Sequence, residues 1–120
     1  MERKKAIYIA GPITGVCDYR TEFGRYADAI RAMGYAVLNP ARLPEGMTNA
    51  QYMRICLAMI DSADAVLFMS EWRESPGATL EHRYCEYTGK PHIHSPTMKD
   101  GDPRSVKPYW LRESLEEVTA

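Results

Sequence analysis

The sequence has few of the features that mark secreted, membrane or nucleic-acid-binding proteins. Its three cysteines, Cys17, Cys56 and Cys85, are odd in number and form no Cys-x-x-Cys pair. We therefore expect reduced thiols and a cytoplasmic location, with neither a zinc site nor a redox pair. The first apolar run stops at Gly11, too early for a signal peptide or a membrane span. A net charge of -1 offers no basic field, so we expect neither nucleic acid nor membrane as a partner.

The composition that remains is that of an ordinary globular protein. The chain has 120 residues, of which 45% are hydrophobic and 26% charged. This length predicts one domain that can bury a core without crosslinks. We assign residues 1–120 to a single domain, with a core at 6–94 and a C-terminal loop and short helix at 95–120.

The strands and helices are predicted to alternate. The predicted strands are 6–10, 35–38 and 65–69, with a weaker fourth at 91–94. The predicted helices begin near Thr21, at Thr48 or Asn49, and at Ser75; Gly34 and Gly89 end the first and third, and a last short helix covers 110–118. Because the strands are apolar throughout, the pattern predicts an α/β domain of Rossmann or flavodoxin type. We expect three layers around a mostly parallel sheet of four to five strands.

Ligands bind at the carboxyl ends of the strands in such sheets. This rule places the loops at 11–20, 39–47 and 70–77 along one edge. The first begins Gly11-Pro12-Ile13-Thr14-Gly15, which could cradle an anion with its backbone N–H groups or simply turn the chain after a strand. It lacks the lysine of a Walker A loop. Ser75-Pro76-Gly77-Ala78 offers a second anion site or an ordinary helix cap.

Glu81 is the most unusual residue of the third helix. Its spacing places a carboxylate on a core-facing stripe, where burial costs energy unless the group has a partner or a purpose. It could be a nucleophile or a base near a helix N-terminus, or a stripe-edge residue paired with Arg83 or Lys90. The other members of this predicted stripe are Leu80, Tyr84 and Cys85.

Five other side chains are candidates for a role outside the core. The Tyr8 ring belongs to the core, but its hydroxyl could reach a site at the strand end. Trp72 could stack on a base or cover the core, and Asp64 fits a helix-to-strand turn. His92 and His94 share one face of the fourth strand, but no third ligand is evident, so we expect no metal and no cofactor.

Four motifs, taken in order, resemble the nucleoside 2-deoxyribosyltransferase superfamily, which includes the 2'-deoxynucleoside 5'-monophosphate N-glycosidases. They are Ile7-Tyr8-Ile9-Ala10-Gly11-Pro12, Gly34-Tyr35-x-Val37-x-Asn39-Pro40, Ala63-Asp64-Ala65-Val66 and Trp72-x-x-Ser75-x-Gly77-Ala78-x-x-Glu81. The resemblance covers about residues 6–94 and is strongest to a small branch often encoded by phages and prophages. It implies a nucleotide or nucleoside as substrate and a homodimer or higher homo-oligomer.

The resemblance also implies roles for individual residues. Glu81 matches the nucleophile that attacks the anomeric carbon, and Tyr8 matches a tyrosine that contacts the sugar and this carboxylate. Gly11–Gly15 matches the loop at the 5' end of the nucleotide, and Ser75 and Gly77 match phosphate contacts. The predicted binding residues are Gly11, Pro12, Ile13, Thr14, Gly15, Asn39, Ser75, Gly77 and Ala78, with Arg20, Asp64 and Trp72 as further candidates; Arg20 is the one cation expected near this edge.

One position departs from the family pattern. The transferases usually carry an aspartate on the helix before strand three, and Cys56 matches that position here. The leading hypothesis is an enzyme that cleaves the N-glycosidic bond of a (deoxy)nucleoside 5'-monophosphate. The alternative is a nucleotide-binding module of the same fold without turnover. A structural accessory protein would explain neither the glycine loop nor Glu81.

Overall fold

The computed structural model describes residues 3–96 and 108–120, and strands and helices alternate along them. The elements are β1 (Ala6–Ala10), α1 (Tyr19–Ala32), β2 (Ala36–Leu38), α2 (Asn49–Ser62), β3 (Ala65–Phe68), α3 (Pro76–Thr88), β4 (His92–His94) and α4 (Pro108–Val118), with short 3-10 helices at Pro40–Arg42 and Trp72–Glu74. Most of the loop predicted at 96–108 lies outside the described residues. Within them, no helix combines the length and apolarity needed to cross a bilayer.

The four strands form one parallel sheet in the order β2-β1-β3-β4. This confirms the predicted α/β class and is the strand order of flavodoxin-like domains. In this order β2 is added on one side of β1, and β3 and β4 are added on the other side. The loops after these two strands therefore diverge and leave a crevice at the carboxyl edge.

Helices cover both faces of the sheet and create two cores. Ile7 and Ile9 of β1 face α1 and α4, where Phe23 and Ile30 are fully buried. The intervening Tyr8 and the following Ala10 face the opposite way, toward α2 and α3; the other buried residues on that face are Cys56, Ile60, Ala63, Val66, Phe68, Trp72, Ala78 and Cys85. The alternation along β1 therefore directs the Tyr8 side chain toward the helix that carries Glu81.

The starts of α2 and α3 follow the predicted caps. Thr48 accepts a hydrogen bond from the Gln51 amide while the Gln51 side chain accepts one from the Thr48 amide, a complete capping box. Ser75 caps α3 with Pro76 at its first position, and Gly89 ends it at a φ of 76°.

The start of α1 was predicted incorrectly. Thr21 lies inside this helix, and the N-cap position belongs to Asp18, which has a φ of 59° and makes no side-chain capping bond. The loop after β1 is therefore shorter than expected, and Arg20 lies in the first turn of α1.

Other boundaries differ from the predictions by one or two residues. Strand β2 starts one residue later than expected, β3 ends one residue earlier, and β4 omits Pro91. Helix α4 begins at Pro108 rather than at Trp110, and it buries Leu111 and Leu115 against the α1 side of the sheet. The C-terminal helix is thus part of the core.

Candidate active site

The crevice between β1 and β3 is narrow where the two strands end. A Cβ atom placed on Gly11 would lie 2.7 Å from the Met69 Sδ atom and 3.1 Å from its Cβ. Gly15 has a φ of 77°, a conformation that favours glycine. Both glycines of the Gly11–Gly15 loop therefore have a backbone reason to be there. The loop lies at the predicted edge of the sheet, and its glycines alone do not distinguish an anion cradle from a turn.

Glu81 is buried and hydrogen-bonded to Tyr8. The Tyr8 hydroxyl donates to the Glu81 Oε2 atom over 2.5 Å, although 73 positions separate the two residues in sequence. The Glu81 side chain is only 5% exposed. The prediction that Glu81 lies on the buried stripe of α3 is confirmed. The structure thus brings together the two residues that were predicted to carry the chemistry.

The stripe around Glu81 differs in one residue from the prediction. Leu80 is 50% exposed and lies outside the buried stripe. The buried residues of α3 are Ala78, Glu81 and Cys85. Lys90, a suggested ionic partner, instead donates to the Ala63 carbonyl oxygen over 2.6 Å. Glu81 accepts its hydrogen bond from Tyr8, and among the described residues it forms no ion pair with Arg83 or Lys90. The interpretation of Glu81 as a stripe-edge residue paired with one of them is therefore wrong.

Burial controls the ionisation of this pair. Desolvation raises the pKa of Glu81 to about 7, against the opposing effect of the Tyr8 hydrogen bond. Burial and the neighbouring Glu81 carboxylate raise the pKa of Tyr8 well above its ordinary value. Tyr8 therefore remains a hydrogen-bond donor at neutral pH, while Glu81 exchanges a proton in the physiological range.

Cys56 adjoins the same pair from α2. Burial raises the pKa of its thiol to about 11, although the neighbouring Tyr8 hydroxyl acts in the opposite direction. Cys56 thus remains a neutral thiol at pH 7, next to the tyrosine and 8% exposed. The helix position matched to the family aspartate does face the Tyr8–Glu81 pair, but it carries a weak acid there.

The N-terminus of α3 follows β3 through a short 3-10 helix. The Ser75 Oγ atom accepts from the Ala78 amide over 3.1 Å, and the Thr79 hydroxyl donates to the Ser75 carbonyl over 2.8 Å. A Cβ on Gly77 would meet the Met53 Cε atom at 3.8 Å, which is an ordinary contact. Ser75 is therefore a helix cap in this structure, and its hydroxyl proton is still available to a ligand.

Arg20 and Asn39 lie together at the end of β2. They line an open cavity of about 350 Å³ with Ala41 and Arg42. The Arg20 guanidinium donates to the Ala41 carbonyl over 3.1 Å and to Glu45 over 3.1 Å, and the Asn39 Oδ1 atom accepts from the Ala41 amide. The expectation of a single cation at this edge is wrong, since Arg42 is a second one. Arg42 was not predicted, because nothing in the sequence of the Pro-containing loop around it indicates a site.

Trp72 and Asp64 do not join the Tyr8–Glu81 pair. Trp72 is 6% exposed and packs on Phe68, which favours its role as a cover of the core. Asp64 lies at the amino end of β3, the opposite edge of the sheet. It accepts hydrogen bonds from Arg3 and from the Ala6 amide, which lower its pKa.

A histidine cluster lies between α3 and the edge strand β4. His92 and His94 share one face of β4, as predicted, and His82 of α3 joins them. One ring nitrogen from each of the three lies within 4.8 Å of the others. The expectation that no third histidine ligand is present is therefore wrong. Burial lowers the pKa of His82 and His94. No local spacing links His82 to the other two, because only the packing of α3 on β4 brings them together.

The fold and the buried Tyr8–Glu81 pair define a flavodoxin-like α/β domain with a buried carboxylate hydrogen-bonded to its first strand. Residues 5–94 match the model of the family described as "Domain of unknown function (DUF4406)". The chain therefore belongs to the DUF4406 family. A comparison with curated proteins found no match. The matched range contains Tyr8, the glycine loop and Glu81, and it excludes α4.

Proposed function

We propose that this protein cleaves the N-glycosidic bond of a (deoxy)nucleoside 5'-monophosphate, with Glu81 as the nucleophile. The observation that carries the proposal is the buried Glu81 carboxylate, held by the Tyr8 hydroxyl at 2.5 Å. Burying a carboxylate costs several kcal/mol unless it is compensated. A purely structural role would be met at lower cost by an apolar side chain or an amide. The residue resemblance to nucleoside 2-deoxyribosyltransferases supports the same assignment.

The chemistry needs an ionised carboxylate near the anomeric carbon. The Glu81 oxygen would bond to C1' as the C1'–N bond breaks, and the electron pair would leave with the base, which takes up a proton. Water or a second base would then attack C1' and release Glu81. The Tyr8 hydroxyl can orient the carboxylate before attack and stabilise it when it leaves.

Neutral and cationic groups at the carboxyl edge support a phosphorylated substrate. The Gly11–Gly15 loop and the Ser75 hydroxyl lie after β1 and β3, the two strands that border the crevice. Arg20 and Arg42 line the neighbouring cavity and would attract a phosphate dianion. We therefore assign the 5' phosphate to this edge and the sugar to the Tyr8–Glu81 pair.

One observation favours a second function, a nucleotide-binding module without turnover. Cys56 occupies the position from which the transferases supply an aspartate, and its pKa of about 11 makes the thiol a poor proton donor to a leaving base. Such a module would bind nucleotides at the same edge and release no base.

A substrate panel distinguishes the two functions. The protein is incubated with ribo- and deoxyribonucleoside 5'-monophosphates and with the matching nucleosides, and free base is measured by chromatography. We expect base from one or more monophosphates and a rate that increases with pH to a plateau above about 7, because Glu81 must lose its proton. Tight binding of monophosphates without release of base would establish the binding module instead.

Two glutamate variants then test the nucleophile. Glu81→Gln should lose nearly all of the rate, since a carboxamide cannot form the glycosyl ester. Glu113→Gln is the matched control, because Glu113 is exposed on α4 and its loss should leave the rate unchanged. An unchanged rate in Glu81→Gln would remove Glu81 from the mechanism. Equal affinity for nucleosides and monophosphates would show that the protein does not recognise the 5' phosphate.

A further inference from the structure

All of the histidines in this protein converge on one place. The sequence contains three histidines, and one ring nitrogen from each of His82, His92 and His94 lies within 4.8 Å of the others. His92 and His94 are two residues apart on β4, so both rings project from the same face of the strand. His82 approaches from α3. Three imidazoles on two elements match the ligand number of open zinc sites.

The separation of the nitrogens suits one metal ion. The Nε2 atoms of His82 and His94 are 2.8 Å apart. Two imidazole nitrogens bound tetrahedrally to one Zn²⁺, each at about 2.0–2.1 Å, lie roughly 3.3 Å from each other. To bind one ion, the His82 and His94 nitrogens would separate by about half an ångström and their rings would turn toward the metal. The wider separations in the cluster, which reach at most 4.8 Å, would shorten.

The outer hydrogen bonds orient two of the rings for binding. The His82 Nδ1 atom lies 3.3 Å from the Glu86 Oε1 atom, one helical turn along α3. The His92 Nδ1 atom lies 2.9 Å from the Lys90 carbonyl oxygen. Metal-bound histidines usually donate their second ring N–H to such a carboxylate or carbonyl, which leaves the other nitrogen free for the metal. His82 and His92 both have this arrangement.

Aromatic packing restricts the rings while one side stays open. Trp72 stacks on His82 with a centroid distance of 4.2 Å, and Phe68 contacts His82 edge-on at 5.0 Å. His94 is exposed to solvent. A metal bound here would have a partly buried pair of ligands, His82 and His92, on one side and access to water on the other.

We propose that His82, His92 and His94 bind one divalent transition-metal ion of the zinc class, with water in the remaining position. The ion would link the edge strand β4 to α3. The three histidines have no role in the proposed glycosidase mechanism, and the metal proposal does not depend on that function. Without a metal, the same geometry would be a hydrogen bond between His82 and His94 within an aromatic stack.

Metal titration of the full chain tests the proposal. The protein is dialysed against chelator, and Zn²⁺ binding is measured by calorimetry and Co²⁺ binding by its visible absorption. We expect one ion per chain, a higher melting temperature with Zn²⁺, and a Co²⁺ spectrum without thiolate charge-transfer bands. His94→Gln should abolish these responses, and Glu86→Gln should weaken binding roughly tenfold.

A cysteine variant and a folding check make the result decisive. Cys17 is the exposed thiol, so Cys17→Ser is the control and should bind as the wild type does. His94 is exposed, so His94→Gln should retain the metal-free melting temperature and circular dichroism of the wild type. The proposal is overturned if the wild type binds no Zn²⁺ or if Cys17→Ser loses it. It is also overturned if His94→Gln and His92→Gln each bind Zn²⁺ as tightly as the wild type does.

Discussion

Glu81 shows how far one residue can be understood from its position in the sequence. Its spacing on α3 predicted a carboxylate on the buried stripe, and the side chain is indeed 5% exposed. The identity of its partner was open, because Arg83 and Lys90 were close in sequence while Tyr8 was not. The bond to Tyr8 depends on packing of α3 against β1, which no local pattern describes. The resemblance to a known family suggested the pair, and the geometry supports it.

The raised pKa of Glu81 predicts a pH-dependent stability. The pKa is about 7 in the folded protein and near 4.5 in the unfolded chain, so the fold prefers the protonated acid. The contribution of Glu81 is therefore most favourable below about pH 4.5 and is lost as the pH rises through about 7. Above pH 7, the free energy of unfolding of Glu81→Gln should exceed that of the wild type by up to about 3 kcal/mol.

Urea unfolding of both proteins between pH 4.5 and 8.5 measures this difference. The gap in free energy of unfolding should widen from pH 4.5 to 7 and then stay constant. Effects of the other titrating groups cancel in the comparison. The same series with Glu113→Gln should give no widening, because Glu113 is exposed. A gap that stays constant across the range would show that Glu81 ionises normally in the fold.

At the scale of elements, the helix starts that could be predicted from the sequence were those with a side-chain cap. The α2 and α3 starts were predicted because Thr48 and Ser75 each accept a bond from the backbone of the next turn. The start of α1 was missed because Asp18 makes no side-chain capping bond and instead adopts a φ of 59°. A left-handed residue ahead of a helix is set by the path of the preceding loop, which the sequence pattern does not reveal.

The contrast between Thr48 and Thr21 is testable. Thr48→Ala removes the capping box of α2 and should lower the free energy of unfolding by about 1 kcal/mol. Thr21→Ala is the matched control: Thr21 is exposed inside α1, so its replacement by a better helix former should be neutral or slightly stabilising. Chemical denaturation of the two variants measures both effects. Equal losses would mean that the box contributes nothing specific.

At the scale of the whole molecule, the parallel sheet separates two packed cores. The apolar strands predicted burial on both sides, and helices cover both. The strand order β2-β1-β3-β4 was not specified by the pattern. This order places the crevice between β1 and β3, and it makes β4 the edge strand on which two of the histidines lie.

The C-terminal helix contributes to the stability of the whole domain. Leu115 is fully buried against the α1 face of the sheet, although α4 lies outside the matched family range. Leu115→Ala should lower the free energy of unfolding by about 2–5 kcal/mol, through lost burial and a residual cavity. Glu116→Ala, an exposed neighbour on the same helix, should change it by less than about 0.5 kcal/mol. A small effect at Leu115 would show that α4 is not part of the cooperative unit.

The sequence by itself determined the alternating strands and helices, the caps of α2 and α3, and the presence of a carboxylate on a buried stripe. These features follow from periodicity and from side-chain bonds to the nearest backbone turn, which act over a few residues. Only the tertiary structure decided that Tyr8 holds Glu81, that Cys56 adjoins them, that Arg42 joins Arg20, and that His82 meets His92 and His94. Each of these contacts joins separate segments of the chain and depends on strand order and helix packing.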